Sequence, residues 1–227
     1  MENLALFTCI FFILTVALTV MIFTRANTRS GALIVVISVW LAIQALLSIS
    51  GFYEVTNTVP SRFIFFAVPP MLLIILFFLS SMGRNYISKL DTGLLVLLHT
   101  VRIPVEITLY LLFLGGQVPK LMTFAGGNYD ILSGLSAPII YYYGFRKKLL
   151  SRNIVLIWNI ICLGLLFYIV YHAMLSAPSK FQQFAFDQPN VAILHFPYGW
   201  LPSFIVPTIF FSHLVIFRWC FQPRRNQ

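Results

Sequence analysis

The sequence predicts an all-α protein: a bundle of seven transmembrane helices with its N-terminus outside and its C-terminus in the cytoplasm. Three observations predict it. Of 227 residues, 59% are hydrophobic and only 9% are charged, whereas a soluble domain carries about 25% charged residues to cover its surface. The apolar residues fall in long unbroken blocks, each near the roughly 20 residues that a helix needs to cross the hydrocarbon. The basic residues collect in every second connection between those blocks.

The first block, Leu4–Phe23, follows Met1 and Glu2 rather than a basic stretch, and its charges come after it. It is expected to remain as a span and not to be removed as a signal peptide. The second, Gly31–Phe52, carries Gln44, an amide that needs an interhelical partner because it would be unsatisfied against lipid. The third is Phe63–Met82 and the fourth Gly93–Leu114. The fifth, Asp130–Phe145, is short and rich in Gly, Ser and Tyr, so it needs neighbours to shield it. The sixth, Ile154–Leu175, carries Asn159, expected to bond across helices like Gln44. The seventh, Tyr198–Phe217, contains Pro202 and Pro207, the latter freeing the carbonyl of Ser203. Together they make one polytopic domain covering residues 1–227.

Direction follows from the cations, because cytoplasmic loops retain Lys and Arg. Arg25 and Arg29, then Arg84 and Lys89, then Arg146, Lys147, Lys148 and Arg152, then Arg218, Arg224 and Arg225 all fall on one side. The other side has only Arg62, Lys120 and Lys180, and Arg102 lies inside a span. An even number of spans would destroy this alternation. The net charge of +9 is therefore a topology signal, and the expected partner is a lipid bilayer, the plasma or inner membrane, rather than nucleic acid. Aromatic residues agree: Tyr141 to Tyr143, Trp158, Trp200 and Trp219 sit where interfacial anchors belong. Cys9, Cys162 and Cys220 have no paired spacing, so no disulfide framework or cysteine metal motif is expected. The longer, aromatic-bearing loops at 53–62, 115–129 and 176–197 read as ordered caps on the outer side.

The sharpest chemical signal is His99-Thr100-Val101-Arg102-Ile103-Pro104-Val105-Glu106. At about 100° per residue, His99, Arg102 and Glu106 fall within roughly 60° of one another on a helix, and Tyr110 continues that stripe outward. A charge at the bilayer centre costs about 2.5–3.5 kcal/mol on the mildest scale, so Arg102 must face protein or water. Arg102 and Glu106 are four apart and can pair on one face. Pro104 leaves the carbonyl of Thr100 without its helical donor. Two readings follow: an ion pair locking the helix to its neighbours, or a ligand, ion or proton site with His99 as a titratable neighbour.

Asp130 opens the fifth block, ahead of the small residues Ser133, Gly134 and Ala137 that permit close helix approach. It is expected to cap that helix, with a direct role in the site as the other reading. His99 and His213 lie at matched depth and could serve as axial ligands of a haem. His172, Asp187 and His195, with Asp130, could hold zinc on the outer side. Neither set has a compact motif.

Known seven-helix families fit poorly. The last span has no lysine for retinal, only one histidine where zinc hydrolases need a pair, and Ser133-Gly134-Leu135-Ser136 is not the motif of an intramembrane serine protease. The third and seventh spans share a loose pattern, Phe63 to Pro69 against Ser203 to Pro207, as sugar transporters of three plus one plus three helices allow, but the Pro-Gln dipeptide of that family is absent. Three stretches, Val101-Arg102-Ile103-Pro104-Val105-Glu106, Asp130-Ile131-Leu132-Ser133-Gly134-Leu135 and Phe186-Asp187-Gln188-Pro189-Asn190, give the whole chain a different likeness. It resembles a family of uncharacterised bacterial seven-helix membrane proteins. That resemblance implies the architecture and attaches no activity or cofactor. The functional expectation is binding or transport of a small solute, ion or lipid-like ligand, with His99, Arg102, Glu106, Tyr110 and Asp130 as the site. The alternatives are a metal-dependent hydrolase, a haem-binding subunit and a non-catalytic scaffold.

Overall fold

A computed structural model describes residues 2–27, 30–58 and 61–222. Arg29, Arg224 and Arg225, which contribute to the basic pattern above, lie outside the described residues. Helix α1 (Glu2–Arg25) is followed by α2 (Ser30–Ile49). Helix α2 stops short of the expected Phe52 because Gly51 turns at φ 70°, a left-handed conformation that glycine adopts without steric cost. A short 3-10 turn then buries Tyr53, whose hydroxyl donates to Gln44 Oε1 at 2.6 Å.

The expected third span ends at Leu79, just short of Met82, and a short helix follows where a connection was expected. Helix α3 (Ile64–Leu79) ends at Ser80 in an extended conformation, and α4 (Ser81–Ile87) leaves at 93°. The Ser80 hydroxyl accepts from Gly83 N at 3.0 Å, capping α4. Gly83 passes so near the end of α3 that a Cβ there would lie 2.1 Å from the Phe77 carbonyl oxygen. Only glycine fits this corner.

The fourth block is α5 (Thr92–Leu98), a 3-10 turn over His99–Val101, and α6 (Arg102–Leu114). Asp91 starts α5 by accepting from Leu94 N at 3.0 Å. The tighter turn sits just ahead of Pro104, whose ring removes a hydrogen bond and crowds the carbonyl four residues back. The fifth block is the shortest: ten α-helical residues, α7 (Ile131–Ile140), and six in a π-helical stretch (Tyr141–Arg146). Helix α8 (Arg152–Leu175) follows, and a second π-helical stretch (Leu201–Ile205) leads into α9 (Val206–Phe221).

The chain is all-helical, with no strand among the described residues. Among the described residues, five helical segments are long and apolar enough to cross a membrane, or six if the bent α3–α4 pair is one span. The segment at 131–146 falls short by length. The α5–α6 segment and α9 form the centre, packed by α1, α7 and α8.

Two prolines free backbone carbonyls to which α2 donates. Pro69 cannot donate to Phe65 O, and Gln44 Nε2 of α2 reaches that oxygen at 3.4 Å. Pro207 likewise frees Ser203 O, which accepts from Trp40 Nε1 of α2 at 2.9 Å. Pro138 ends the regular ladder of α7 just before its π-helical stretch. At the loop-rich end, Gln188 Nε2 donates to Phe113 O at 3.0 Å and Val118 O at 2.7 Å, and Asn190 Nδ2 to Ala173 O at 3.2 Å. These loops form a bonded cap, as their composition suggested.

Candidate functional site: a buried polar column

Eight polar residues stack through the centre of the bundle. His99, Arg102 and Glu106 supply one wall from the turn before α6 and from α6 itself. Asn128, Asp130 and Ser133 come from the loop before α7 and from α7, Asn159 from α8 and His213 from α9. None is more than 5% exposed.

Arg102 is the hub. Its Nε donates to Asp130 Oδ2 at 2.8 Å, while Nη2 lies 2.7 Å from Oδ1 and donates to Cys162 O at 3.2 Å. One carboxylate oxygen is hydrogen-bonded and the other lies in ion-pair contact without hydrogen-bond alignment, and a bond between two charged groups is stronger than a neutral one. The contact forms because α7 comes very close: a Cβ at Gly134 would lie 2.8 Å from Ile103 Cγ1 and 3.0 Å from Ile103 N. The small-residue stripe of the fifth block thus delivers Asp130 to Arg102.

Two expectations are corrected here. Arg102 pairs with Asp130 on the neighbouring helix, not with Glu106 on its own. Asp130 makes no side-chain cap on α7; its backbone is helical rather than extended as a cap prefers, and its carboxylate is committed to a full charge instead of an amide.

Glu106 finds a different partner. Its Oε1 accepts from Asn128 Nδ2 at 2.5 Å, and the same amide donates to Met122 O at 3.1 Å. Asn128 Oδ1 in turn accepts from the backbone N–H of Asp130 at 3.1 Å. Asn128 therefore ties the two carboxylates' surroundings together. The sequence places it two residues before Asp130, but nothing local shows that the loop folds inward. Glu106 Oε2 and Arg102 Nη1 are buried without a hydrogen-bond partner among the described residues.

One turn before Arg102, the His99 ring meets the His213 ring at 4.3 Å between centroids and stands edge-on to Trp158 at 5.4 Å. His213 Nδ1 lies 2.8 Å from Asn159 Oδ1, and Asn159 Nδ2 donates to His213 O at 3.1 Å. Both His99 nitrogens and His213 Nε2 are buried without a partner among the described residues. Rings in van der Waals contact leave no room for a porphyrin plane, so this pair does not fit a haem.

The remaining expected residues stand elsewhere. The Tyr110 ring stacks on Phe124 of the loop at 4.9 Å. His172 Nδ1 bonds to Tyr168 O at 2.8 Å, His195 lies 3.4 Å from Glu54 at the surface, and Asp187 is exposed. No three His, Cys, Asp or Glu side chains gather as metal ligands among the described residues, and Asp130 is held by Arg102. These residues do not come together as a zinc site.

A family described as a domain of unknown function, DUF8737, matches residues 59–221. The chain belongs to the DUF8737 family. The DUF8737 region runs from just before α3 through α9, so it holds every residue of the column, while Gln44 and Trp40 lie before it. No curated protein and no solved structure matches the chain.

Proposed function

We propose that the protein is a seven-span protein of the plasma or inner membrane, a single domain with its N-terminus outside and its C-terminus in the cytoplasm. The column around Arg102, Asp130 and Glu106 binds a small solute or ion there, in transit across the bilayer or as a held ligand. One observation carries this reading. The cluster contains one guanidinium and two carboxyl groups, and Arg102 Nη1 and Glu106 Oε2 stay buried without hydrogen-bond partners among the described residues. Leaving a buried polar atom unpaired costs about 1–3 kcal/mol, and more for a charged one. Ionisable groups inside a membrane by default mark substrate or ion pathways. A ligand with a polar or anionic end satisfies Nη1, and a proton or cation balances Glu106.

A second reading has its own support. The Arg102–Asp130 contact is closed and two-pointed, which is what a tie between α6 and α7 requires. The two readings separate in one experiment. The purified protein in nanodiscs is heated with a panel of small carboxylates, inorganic phosphate, sodium and potassium. At least one raises the melting temperature of the wild type, because a ligand that binds only the folded state stabilises it. Arg102→Gln and Glu106→Gln still insert and purify but lose that rise. If both variants keep it, the cluster is not the site. If no solute moves the wild type while Arg102→Gln melts earlier, the scaffold reading stands instead.

A further inference from the structure

We infer that the ion handled by this column is the proton, exchanged between Glu106 on one side of Arg102 and the His99–His213 pair on the other, with the Arg102–Asp130 contact as the barrier between them. This rests on the reading of the column as a binding site and names its ion.

The histidine end follows from hydrogen bonds alone. Asn159 Nδ2 faces a carbonyl, His213 O, which can only accept. Its Oδ1 must therefore be the atom facing His213 Nδ1, and an amide oxygen also only accepts. So His213 carries its hydrogen on Nδ1, and Nε2 presents a buried lone pair beside His99. That lone pair has no donor among the described residues. It is a proton acceptor held in a fixed tautomer by a neighbouring helix.

The other end follows from charge balance. With Arg102 and Asp130 cancelling, a proton on Glu106 makes the cluster neutral, and Asn128 holds that carboxyl in place. Transfer breaks the Glu106 O–H bond and forms an N–H bond on the histidine pair; Glu106 is left as a carboxylate on the Asn128 amide. No electron moves. Glu106 and His99 are seven residues apart, about 10 Å along a helix, which exceeds one hydrogen bond, so transfer requires water to enter at the level of Arg102.

Arg102 decides whether it can pass. A guanidinium has five donors and no acceptor, so it cannot relay a proton, and its charge repels one, as arginine does in pores that exclude protons. The groups facing the path are Arg102 of α6, Asp130 of α7, Cys162 of α8 and the two histidines. The only fixed positive charge among them is the one that Asp130 holds in place. The resting protein is therefore proton-tight, and moving Arg102 off the path opens it.

The test uses the full chain in proteoliposomes with an entrapped pH-sensitive dye and a potassium diffusion potential. Wild type responds no faster than protein-free vesicles. Arg102→Gln removes the barrier and acidifies the lumen severalfold faster. Arg102→Gln with Glu106→Gln, or with His213→Gln, returns to the wild-type rate. An Arg102→Gln protein as tight as wild type overturns the inference, as does a leak that survives loss of His213. Should Arg102→Gln not fold, infrared spectra decide. The wild type shows a protonated-carboxyl stretch that shifts in heavy water and disappears in Glu106→Gln; a stretch that persists in that variant, or none in wild type, overturns the proposal. Loss of solute binding without any leak in Arg102→Gln rejects the proton path and keeps the binding site. A leak with no solute effect does the reverse.

Discussion

Two halves of this molecule solve the same problem, polar groups inside an apolar bundle, in opposite ways. On the α2–α3 side two backbone carbonyls freed by proline each receive a neutral donor: Gln44 for Phe65 O and Trp40 for Ser203 O. Little else on α2 is buried; 17% of its most apolar stretch is covered, against 56% for α5–α6 and for α9. On the α6–α7–α9 side five of the eight polar groups are ionisable, all are buried, and several of their atoms have no partner among the described residues. The first arrangement pairs both of these carbonyls and reads as architecture. The second holds a surplus of polar atoms that stability alone does not require, which is why it carries the functional reading.

If that contrast is right, damage to the two halves differs in size. Asp130→Ala strands a buried guanidinium, and losing one partner of such a pair costs about 3–5 kcal/mol; chemical unfolding in detergent reads it as the largest drop of the set. Gly134→Ala drives a methyl against the Ile103 backbone and lowers stability by about 1–3 kcal/mol through overpacking, with part of the loss disappearing when Arg102 is already Gln. Tyr53→Phe removes the donor to buried Gln44 Oε1 and costs about 1–2 kcal/mol, leaving any solute-induced stabilisation intact. Glu54→Gln breaks only a half-exposed contact with His195, and its melting temperature moves least, since exposed pairs are worth under about 1 kcal/mol. A Glu54→Gln effect as large as that of Asp130→Ala would erase the distinction between column and surface.

Much of this was legible in the sequence, and the misses have physical reasons. Arg102 was placed away from lipid by the cost of its charge alone, and it is 2% exposed. Gln44 and Asn159 were expected to bond across helices and do. The small residues around Gly134 announced a close approach. The partner of Arg102 was misread because spacing favoured Glu106. An Arg followed four residues later by Glu is, however, the weaker orientation of a helical pair, and the Asp130 carboxylate just before α7 brings both its oxygens to the guanidinium. Asn128 was missed because its role depends on how residues 115–130 turn back over the bundle, which no local pattern encodes. The 93° corner after Leu79 is not legible either, since Ser80, Ser81 and Gly83 read equally well as the start of a cytoplasmic loop.

The central claim is that Arg102 is held inside the bundle by Asp130, and a double-mutant cycle tests it most directly. Unfolding free energies are measured for Arg102→Gln, Asp130→Asn and the pair together. Each single change should be costly, and the double variant should be more stable than their sum predicts by about 2–3 kcal/mol, at the upper end of what contacting residues show. Strictly additive losses would mean that the two side chains do not meet, and the column would lose its hub.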